Sequence, residues 1–440
     1  MHRFYRRRTA MLLLICCQFA HNLSFMLDGC ARLCLGTPAS SWRGPEGGQS
    51  ETCAQRGAAI KAQDSRNRQT GLMRIEAAVL PETGAAIDVR EIDLAAPHAG
   101  EVLVRLHASG VCHSDLNAVD GTSATRCPAV LGHEGAGIVE AVGAGVEVRP
   151  GTHVALSWMP ACNRCEECQR GLTHLCRRAW SGMSHGGLLD GTPRLSSNGN
   201  PVYHYSYLST FAQAAVVPEQ CVIPIPESVP FDVAALVGCA VSTGIGAVWN
   251  TAGVRPGERV AVIGCGGVGV SALLGALAVG ATPVVAVDLS DEKLSLARSL
   301  GATATVRWAG TAAATAEAIK DASGGGVDYA IEATGRPEAM LAAFLSCRPR
   351  GAAVLIGISR ADAVLPLPAI EVPRSERRIM GSAYGSVRPE RDFPRILQLY
   401  SEGRLALDRL ITHRMPLGQT GQALDLVRSG AAIRAVLQLT

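Results

Sequence analysis

Four cysteines stand close together in one short stretch of the sequence. Residues 162–176 read CNRCEECQRGLTHLC, with Cys162, Cys165, Cys168 and Cys176 at gaps of two, two and seven residues. Spacing this short lets four thiolates converge on a tetrahedral ion, whereas disulfides across two-residue gaps are strained and mostly redox-active. We predict a structural zinc site that four thiolates close, with no position left for water or substrate. Two disulfides or free thiols are the alternative.

Three motifs around this quartet carry residues that could bind a second metal ion, namely Cys112, His133 and Cys239. The motifs are VCHSD at 111–115, LGHEGAG at 131–137 and VGCAVSTG at 237–244. Each is weak alone, because a lone cysteine is usually a small buried apolar residue and a lone histidine usually has a structural role. Together, two thiolates and a neutral imidazole would leave a fourth zinc position open, as a catalytic site requires.

A glycine-rich segment could bind the phosphates of a cofactor. Residues 258–293 read ERVAVIGCGGVGVSALLGALAVGATPVVAVDLSDEK, in which a second apolar run ends at Asp288. A strand, a tight glycine turn and a helix in this order place a pyrophosphate at the helix N-terminus. Asp288, 24 residues after Gly264, is expected to bind the adenosine ribose and to repel a 2′-phosphate, which favours NAD over NADP. The alternative is a glycine-rich packing turn.

These motifs need a scaffold, and the hydrophobic pattern indicates an α/β fold. Apolar runs continue through GVDYAIEATG, GAAVLIGI and RRIMGSAYG, and they predict about six parallel strands in a doubly wound Rossmann sheet. We assign residues 241–383 to this NAD-binding domain. Residues 73–240 instead show many short strands with turn residues between them.

The pieces GHEGAGIVEAVGAGV, the cysteine quartet and GCAVSTG, in this order, resemble the zinc-containing medium-chain alcohol dehydrogenases. The resemblance runs from about Met73 to Thr440. It implies a mostly β, GroES-like catalytic domain built from residues 73–240 and 384–440, with the catalytic site in the cleft beside the Rossmann domain. The expected activity is reversible hydride transfer between an alcohol and NAD, with two zinc ions per subunit.

The resemblance also implies roles for single residues. In catalysis it implicates Cys112, Ser114, His133, Glu134 and Cys239, with Asp115 beside the metal ligands. In cofactor binding it implicates His113, Thr243, Gly264, Gly266, Gly267, Val268, Gly269, Asp288, Lys293, Ile358 and Arg434. Cys112, His133 and Cys239 would hold the catalytic zinc ion. His113 and Arg434 would contact the pyrophosphate, and Thr243 the nicotinamide.

The sequence departs from the family at the proton path. Ser114 matches the hydroxyl that takes the alcohol proton, but many members carry a histidine where this chain has Asn117. An amide cannot accept and release a proton near neutral pH. Trp158, Tyr205 and Ile358 fall at positions that line the substrate pocket in the family.

Two alternative functions remain open. One is a thiol-adduct-dependent formaldehyde dehydrogenase, although the aspartate and arginine that help to hold glutathione in that class are replaced here by Ser123 and Trp180. The other is a non-catalytic nicotinamide-binding protein, which would not need Cys112, His133 and Cys239.

Composition limits the remaining classes. The chain has 440 residues, of which 48% are hydrophobic and 18% charged, with a net charge of +3. Outside RFYRRR at 3–8 there is no basic stripe, and no apolar run approaches the roughly 20 residues of a membrane span. We expect a cytoplasmic protein that binds neither nucleic acid nor membrane.

Residues 1–72 are expected to be a disordered or mis-assigned extension rather than a secretory signal. The long segment 177–211 resembles the loop of dimeric members, which favours a homodimer.

Overall fold

The computed structural model describes residues 72–439, so the predictions for the N-terminal extension lie outside the described residues except at Leu72. The strands of the described part are β1 Leu72–Leu80, β2 Asp88–Ala95, β3 Glu101–Val111, β4 Ala129–Val130, β5 Glu134–Val142, β6 His153–Leu156, β7 Leu195–Ser197, β8 Asn200–His204, β9 Ala214–Pro218, β10 Val222–Pro224, β11 Val260–Ile263, β12 Val284–Asp288, β13 Ala304–Arg307, β14 Val327–Glu332, β15 Cys347–Leu355, β16 Arg378–Gly381, β17 Ile411–Pro416 and β18 Arg434–Gln438.

Helices connect these strands. The α-helices of the described part are His113–Val119, Glu166–Gln169, Arg177–Gly182, Phe231–Leu236, Ser242–Gly246, Gly267–Ala278, Asp291–Ser299, Ala312–Ser323, Pro337–Ser346, Glu371–Ser375, Pro389–Ser401 and Thr420–Ser429. Two π-helical segments, Val237–Val241 and Ala247–Ala252, continue the helical run that begins at Phe231. Short 3₁₀ turns lie at Thr173–Leu175, Met183–His185, Glu219–Cys221, Tyr384–Ser386, Leu407–Leu410 and Leu417–Gln419.

The β-rich part consists of a closed barrel and a mixed sheet. The barrel order is β1-β2-β7-β8-β4, and the mixed sheet runs β10-β6-β5-β3-β18-β17 with β9 also paired to β3. In β1 and β2 the buried Ile75 and Ile92 face each other across the antiparallel pair. The C-terminal strand β18 pairs with β3, so residues near both ends of the described chain form one sheet.

The second part is a six-stranded parallel sheet in the order β13-β12-β11-β14-β15-β16. This is the strand order of the doubly wound dinucleotide-binding fold. The residues of β11 are all buried and alternate between two cores: Val260 and Val262 pack on one face, Ala261 and Ile263 on the other. Both faces are covered, which is why the strands read as continuous apolar runs. The predicted fold class, a Rossmann sheet plus a GroES-like β domain, is confirmed, while the exact domain boundaries stay a prediction.

The helical run Phe231–Ala252 has 22 residues and a mean hydropathy of 1.7, which is long and apolar enough to cross a membrane by composition alone. It corrects the expectation that no apolar run reaches that length. Because 78% of its most apolar window is buried within the protein, the run belongs to the core.

Candidate active site

Cys112, His133, Glu134 and Cys239 lie together, with one ligand atom of each within 4.8 Å of every other. Three different elements bring them there. Cys112 follows β3 and caps the helix His113–Val119, and His133 and Glu134 stand at the start of β5. Cys239 lies in the π-helical segment Val237–Val241, a kind of helical irregularity that is frequent at functional sites.

Asp115 fixes two of these residues. Its Oδ2 accepts a hydrogen bond from the Cys112 backbone N–H at 2.9 Å, and its Oδ1 lies 3.0 Å from His133 Nδ1. The carboxylate is fully buried and also accepts from the Gly132 N–H. A carboxylate on Nδ1 places the imidazole proton there and leaves Nε2 free to bind a metal.

The electrostatics of the cluster favour a bound cation. A hydrogen bond from the Cys239 thiol lowers the pKa of Cys112 well below its ordinary value, and the same pairing raises the pKa of Cys239. For His133 burial lowers the pKa, but Asp115 and Cys112 outweigh that effect and raise it well above the usual range. The Oε1 of Glu134 is buried and has no partner among the described residues.

This donor set fits a zinc ion. Two thiols and one imidazole with a free Nε2 match the Cys2His composition of zinc sites that keep a position open for substrate. The residues that would hold the ion are Cys112, His133 and Cys239. The unpaired Oε1 of Glu134 supplies a further negative atom at the same point.

Arg434 connects this cluster to the glycine-rich turn. Its guanidinium forms an ion pair with Glu134, and both side chains are buried. The aliphatic part of Arg434 packs against Gly267, where any Cβ would collide with it. Burial raises the pKa of Glu134 to about 7, while Arg434 opposes that rise. The sequence predicts contact with the pyrophosphate for Arg434, but it does not reveal the pair with Glu134.

Ser114 and Tyr205 lie beside the metal ligands. The Cys112 thiol is 3.9 Å from Ser114 Oγ, and the Tyr205 hydroxyl donates to the Ser114 carbonyl at 2.8 Å. The Tyr205 ring stands edge-on to His133 at 5.7 Å. Trp158 packs between the rings of Trp180 and Tyr384. Of the predicted pocket residues, Tyr205 therefore borders the cluster, Trp158 packs with the apolar group around the cysteine quartet, and Ile358 is 81% exposed.

The glycine-rich turn joins β11 to the helix Gly267–Ala278. Gly264 has a φ of +93°, in the left-handed region that favours glycine. A Cβ on Gly269 would collide with the Gly264 carbonyl, so the helix packs directly on the strand end. Around Gly266 there is open space, with no atom within 4 Å of the point where a Cβ would stand. The turn thus leaves room for a ligand at the N-terminus of this helix, where the first backbone N–H groups have no partner within the helix.

Asp288 ends β12 and borders a cavity of about 180 Å³. Its Oδ2 accepts from the Cys265 N–H at 2.7 Å and its Oδ1 from the Ser290 N–H at 2.9 Å, so the carboxylate is held in place before any ligand binds. Trp308 and Arg336 also line this cavity and were not among the predicted residues. Arg336 follows β14 at the carboxyl edge of the parallel sheet, where ligands of this fold bind, and that placement could have identified it.

The remaining predicted cofactor residues occupy various places. Thr243 is buried in the helix Ser242–Gly246, Val268 is half-buried in the first turn after the glycines, and His113 is exposed. Lys293 lies on the helix Asp291–Ser299, where its ammonium approaches Gly430. Neither Lys293 nor Ile358 borders the cavity beside Asp288.

The cysteine quartet forms a separate group. Cys162, Cys165, Cys168 and Cys176 have their sulfur atoms within 4.8 Å of one another, and none is in a disulfide. The Cys165 sulfur lies 3.5 Å from that of Cys168, far beyond a covalent S–S bond. Burial raises the pKa of Cys162, but backbone N–H donors outweigh burial and lower it to about 6. Four converging thiols fit a structural zinc ion.

A third cluster does not fit a metal. His98, Glu101 and Asp190 lie within 4.8 Å of one another, but Arg194 forms ion pairs with both carboxylates. The guanidinium occupies the position that a cation would need.

Comparisons with known proteins agree with this geometry. The family model of the alcohol dehydrogenase GroES-like domain matches residues 98–227, and that of the zinc-binding dehydrogenases matches residues 267–402. The chain is 37% identical over 375 residues to an S-(hydroxymethyl)glutathione dehydrogenase from Paracoccus denitrificans, which covers 83% of this chain and 100% of that protein.

Solved structures agree as well. An alcohol dehydrogenase zinc-binding domain protein from Burkholderia ambifaria superposes with a TM-score of 0.81 at 35% identity, over 84% of this chain and 100% of that one. A benzyl alcohol dehydrogenase from Acinetobacter calcoaceticus gives a TM-score of 0.80 at 31% identity, over 84% and 100%. With its sequence motifs, fold and relatives in agreement, this chain belongs to the zinc-containing medium-chain alcohol dehydrogenase family.

Proposed function

We propose that this protein is a zinc-dependent alcohol dehydrogenase that transfers a hydride reversibly between a primary or secondary alcohol and NAD. The observation that carries the proposal is the position of Arg434. Its guanidinium pairs with Glu134 in the metal-ligand cluster while its chain packs on Gly267 in the glycine turn. A cofactor phosphate on that turn and a substrate at the cluster would therefore be neighbours.

Each residue of the site has a separate task in this proposal. Cys112, His133 and Cys239 hold the zinc ion, and Asp115 keeps the imidazole in the tautomer that presents Nε2. When bound, zinc supplies Lewis-acid polarisation of the substrate oxygen, and NAD supplies the hydride acceptor. The Ser114 hydroxyl takes the alcohol proton.

Asn117 cannot carry the proton further, because an amide does not titrate near neutral pH. Its side chain stands one helical turn after Ser114, in the helix His113–Val119. We propose that the proton passes from Ser114 to solvent instead.

The choice of NAD over NADP rests on Asp288. Its carboxylate is fixed by two backbone N–H groups at the wall of a cavity that opens on the glycine turn. Two ribose hydroxyls can donate to it, whereas a 2′-phosphate would be repelled. We expect Asp288→Ala to raise the KM for NAD by roughly 10- to 150-fold, since a hydrogen bond to a charged group contributes about 1.5–3 kcal/mol. An unmodified enzyme that already prefers NADP would contradict this assignment.

The direct test is a panel of alcohols and aldehydes assayed with NAD and with NADP, with the zinc content of the same preparation measured. We expect two zinc ions per subunit and turnover with NAD. A preparation that binds zinc and NAD but turns over no member of the panel would favour a non-catalytic nicotinamide-binding protein.

A thiol-adduct-dependent formaldehyde dehydrogenase is the second candidate. The relative from Paracoccus denitrificans carries that activity in its name, which supports testing it here. Ser123 and Trp180 stand at the two positions where that class uses an aspartate and an arginine, and both border one cavity. Formaldehyde oxidation that requires glutathione or another thiol would favour this candidate.

We also propose a homodimer. Strand β16 is an edge of the parallel sheet, and Ile370, Val372 and Ile379 on or near it are exposed. An uncovered edge strand with apolar neighbours is a surface that proteins usually cover. Light scattering should give twice the mass of the chain, and Ile379→Glu should shift the protein towards monomer.

A further inference from the structure

Tyr384 lies in a turn with an unusual backbone conformation. The turn Tyr384–Ser386 follows β16 of the parallel sheet, and its three residues have φ values of +49°, +64° and +51°. A side chain makes this left-handed region unfavourable, so Tyr384 and Ser386 adopt it only where their surroundings impose it. Strained residues of this kind cluster at functional sites, and the contacts of the turn indicate which site it serves.

The turn is held against the helix Ser242–Gly246. A Cβ on Gly385 would stand 2.6 Å from two carbonyl oxygens of this helix, so only glycine lets the turn approach it so closely. In addition, the Thr251 hydroxyl lies 2.8 Å from the hydroxyls of both Ser382 and Ser386. These contacts fix the direction in which the tyrosine side chain leaves the turn.

The Tyr384 side chain is buried, and its hydroxyl has two partners. It donates to the Gly238 carbonyl at 2.5 Å, because a carbonyl can only accept. The Ser157 hydroxyl, at 3.3 Å, therefore donates to the tyrosine oxygen. The ring packs against Trp158 with the centroids 4.4 Å apart. Apolar packing thus anchors the ring, while the proton of the hydroxyl is committed to Gly238.

Gly238 directly precedes the metal-ligand candidate Cys239 in the π-helical segment Val237–Val241. A Cβ on Gly238 would stand 2.5 Å from the last carbonyl of β6, so this segment lies directly on the strand end. The Ser242 hydroxyl donates to the carbonyl of Val237 at 2.6 Å. Two hydroxyls therefore hold the carbonyls of the two residues before Cys239. One belongs to the same helical run, whereas the tyrosine lies 146 residues away in the chain.

We propose that the Tyr384 hydroxyl positions the third metal ligand: its bond to the Gly238 carbonyl fixes the π-helical segment where Cys239 projects. The Cys239 sulfur lies within 4.8 Å of the ligand atoms of Cys112 and His133, and we call these three residues the open site. This inference rests on the proposed function, in which the open site holds zinc. Tyr384 acts through Cys239 and touches neither substrate nor cofactor in this proposal.

The test is Tyr384→Phe, which keeps the ring and its packing and removes only the hydroxyl. We expect the open site to lose its metal ion to a chromogenic chelator about 3- to 10-fold faster, because one neutral hydrogen bond contributes modestly. The turnover number should fall by a similar factor, while the KM for NAD stays within about twofold. Cys112→Ala, which lacks a ligand of the open site, identifies the release phase that belongs to the cysteine quartet.

Tyr207→Phe is the matched control. Tyr207 is also buried, but its hydroxyl donates to the Ala179 carbonyl at 2.7 Å, in the segment beside the quartet. Its loss should lower the Tm about as much as Tyr384→Phe does and leave metal release from the open site unchanged. Ser157→Ala keeps the bond between Tyr384 and Gly238, so it should change this release less than twofold. A larger effect in Ser157→Ala than in Tyr384→Phe would overturn the proposal.

The outcomes separate this inference from the proposed function. An active enzyme in which Tyr384→Phe changes neither metal release nor turnover would reject the inference and retain the dehydrogenase. Equal changes in Tyr384→Phe and Tyr207→Phe would also reject the inference, because a general loss of stability would then explain both. A protein without alcohol turnover in which only Tyr384→Phe releases the open-site ion faster would support the inference and reject the dehydrogenase.

Discussion

The two cysteine-containing sites of this protein are built in opposite ways. The quartet Cys162, Cys165, Cys168 and Cys176 comes from one loop of 15 residues, with only short helical turns between its members. The cluster of Cys112, His133 and Cys239 comes from elements that are far apart in the chain. Local spacing alone defines the first site, whereas the whole fold must form before the second site exists.

The difference extends to chemistry. Four thiols complete a tetrahedral shell, so an ion held by the quartet can only stabilise the loop. The other cluster would hold an ion through three side chains, and it has buried partners, Asp115 and Glu134 among them. A variant of the closed site should therefore lose stability but little turnover. A variant of the open site should lose turnover but little stability.

The largest effect on turnover is expected from Cys112→Ala. Removing one of three ligands of the open site should reduce turnover by about 10³-fold or more, because the metal contributes several kcal/mol of transition-state stabilisation. The thermal midpoint should change little by comparison. Steady-state kinetics and circular dichroism on the same sample test this, and wild-type turnover in Cys112→Ala would remove the catalytic assignment.

Ser114→Ala should have the next largest effect, about 10²-fold on alcohol oxidation, since positioned proton transfer contributes roughly 10² to 10⁴ in rate. Asn117→Ala is the matched control one helical turn away and should change turnover little. The turnover number against pH at saturating NAD, with a deuterated alcohol to confirm the chemical step, provides the measurement. An equal loss in Asn117→Ala would make Asn117 itself part of the proton path.

Asp115→Asn should lower zinc affinity or turnover by about 10- to 100-fold, as is usual for partners of metal ligands. An asparagine has only one acceptor oxygen, so it cannot accept from the N–H groups of both Cys112 and Gly132 in this geometry. It also carries no negative charge to hold the Nδ1–H of His133. Zinc content after dialysis against a chelator is the readout, and Asp120→Asn at the exposed end of the same helix is the control. Normal zinc retention in Asp115→Asn would show that the carboxylate does not position the ligand.

Cys165→Ala should have the smallest effect on the turnover of folded enzyme and the largest on stability. A cross-linked loop of about 15 residues contributes roughly 3 kcal/mol, which for a chain of this size corresponds to a fall in Tm of about 4 °C. Differential scanning calorimetry tests this, with Cys127→Ala outside both sites as the control. A Tm unchanged from the unmodified protein would break the distinction between the two sites.

The parts that could be predicted from sequence follow the same division. The quartet, the glycine turn and Asp288 are local patterns, and each appears in the structure where its spacing indicated. The open site could be assembled only through the resemblance to a family, because spacing cannot relate Cys112 to Cys239. Glu134 and Arg434 are separated by 300 residues, and the ion pair between them has no local signal.

Other features were missed for physical reasons. The cavity of about 260 Å³ that Ser123 and Trp180 border depends on how residues 123–126 pack against the segments around Trp180 and Tyr205, and no local pattern in the sequence predicts it. The helical run Phe231–Ala252 was not recognised as one long apolar element, because its glycines and polar residues interrupt the apolar pattern. In the structure the two π-helical segments keep that run continuous.

The pairing of β18 with β3 also delays the completion of the mixed sheet until the end of synthesis. Residues Ala108–Val111 of β3 pair on one side with Ala435–Gln438, which are made more than 300 residues later. At about 5 to 20 residues per second, that part of the strand waits roughly 15 to 65 s for its neighbour. During this interval the apolar edge of β3 next to Cys112 is open to other chains. The parallel sheet is complete once Gly381 has been made, but β3 must wait for β18. We therefore expect the nascent chain to need chaperones because of β3 rather than because of the parallel sheet.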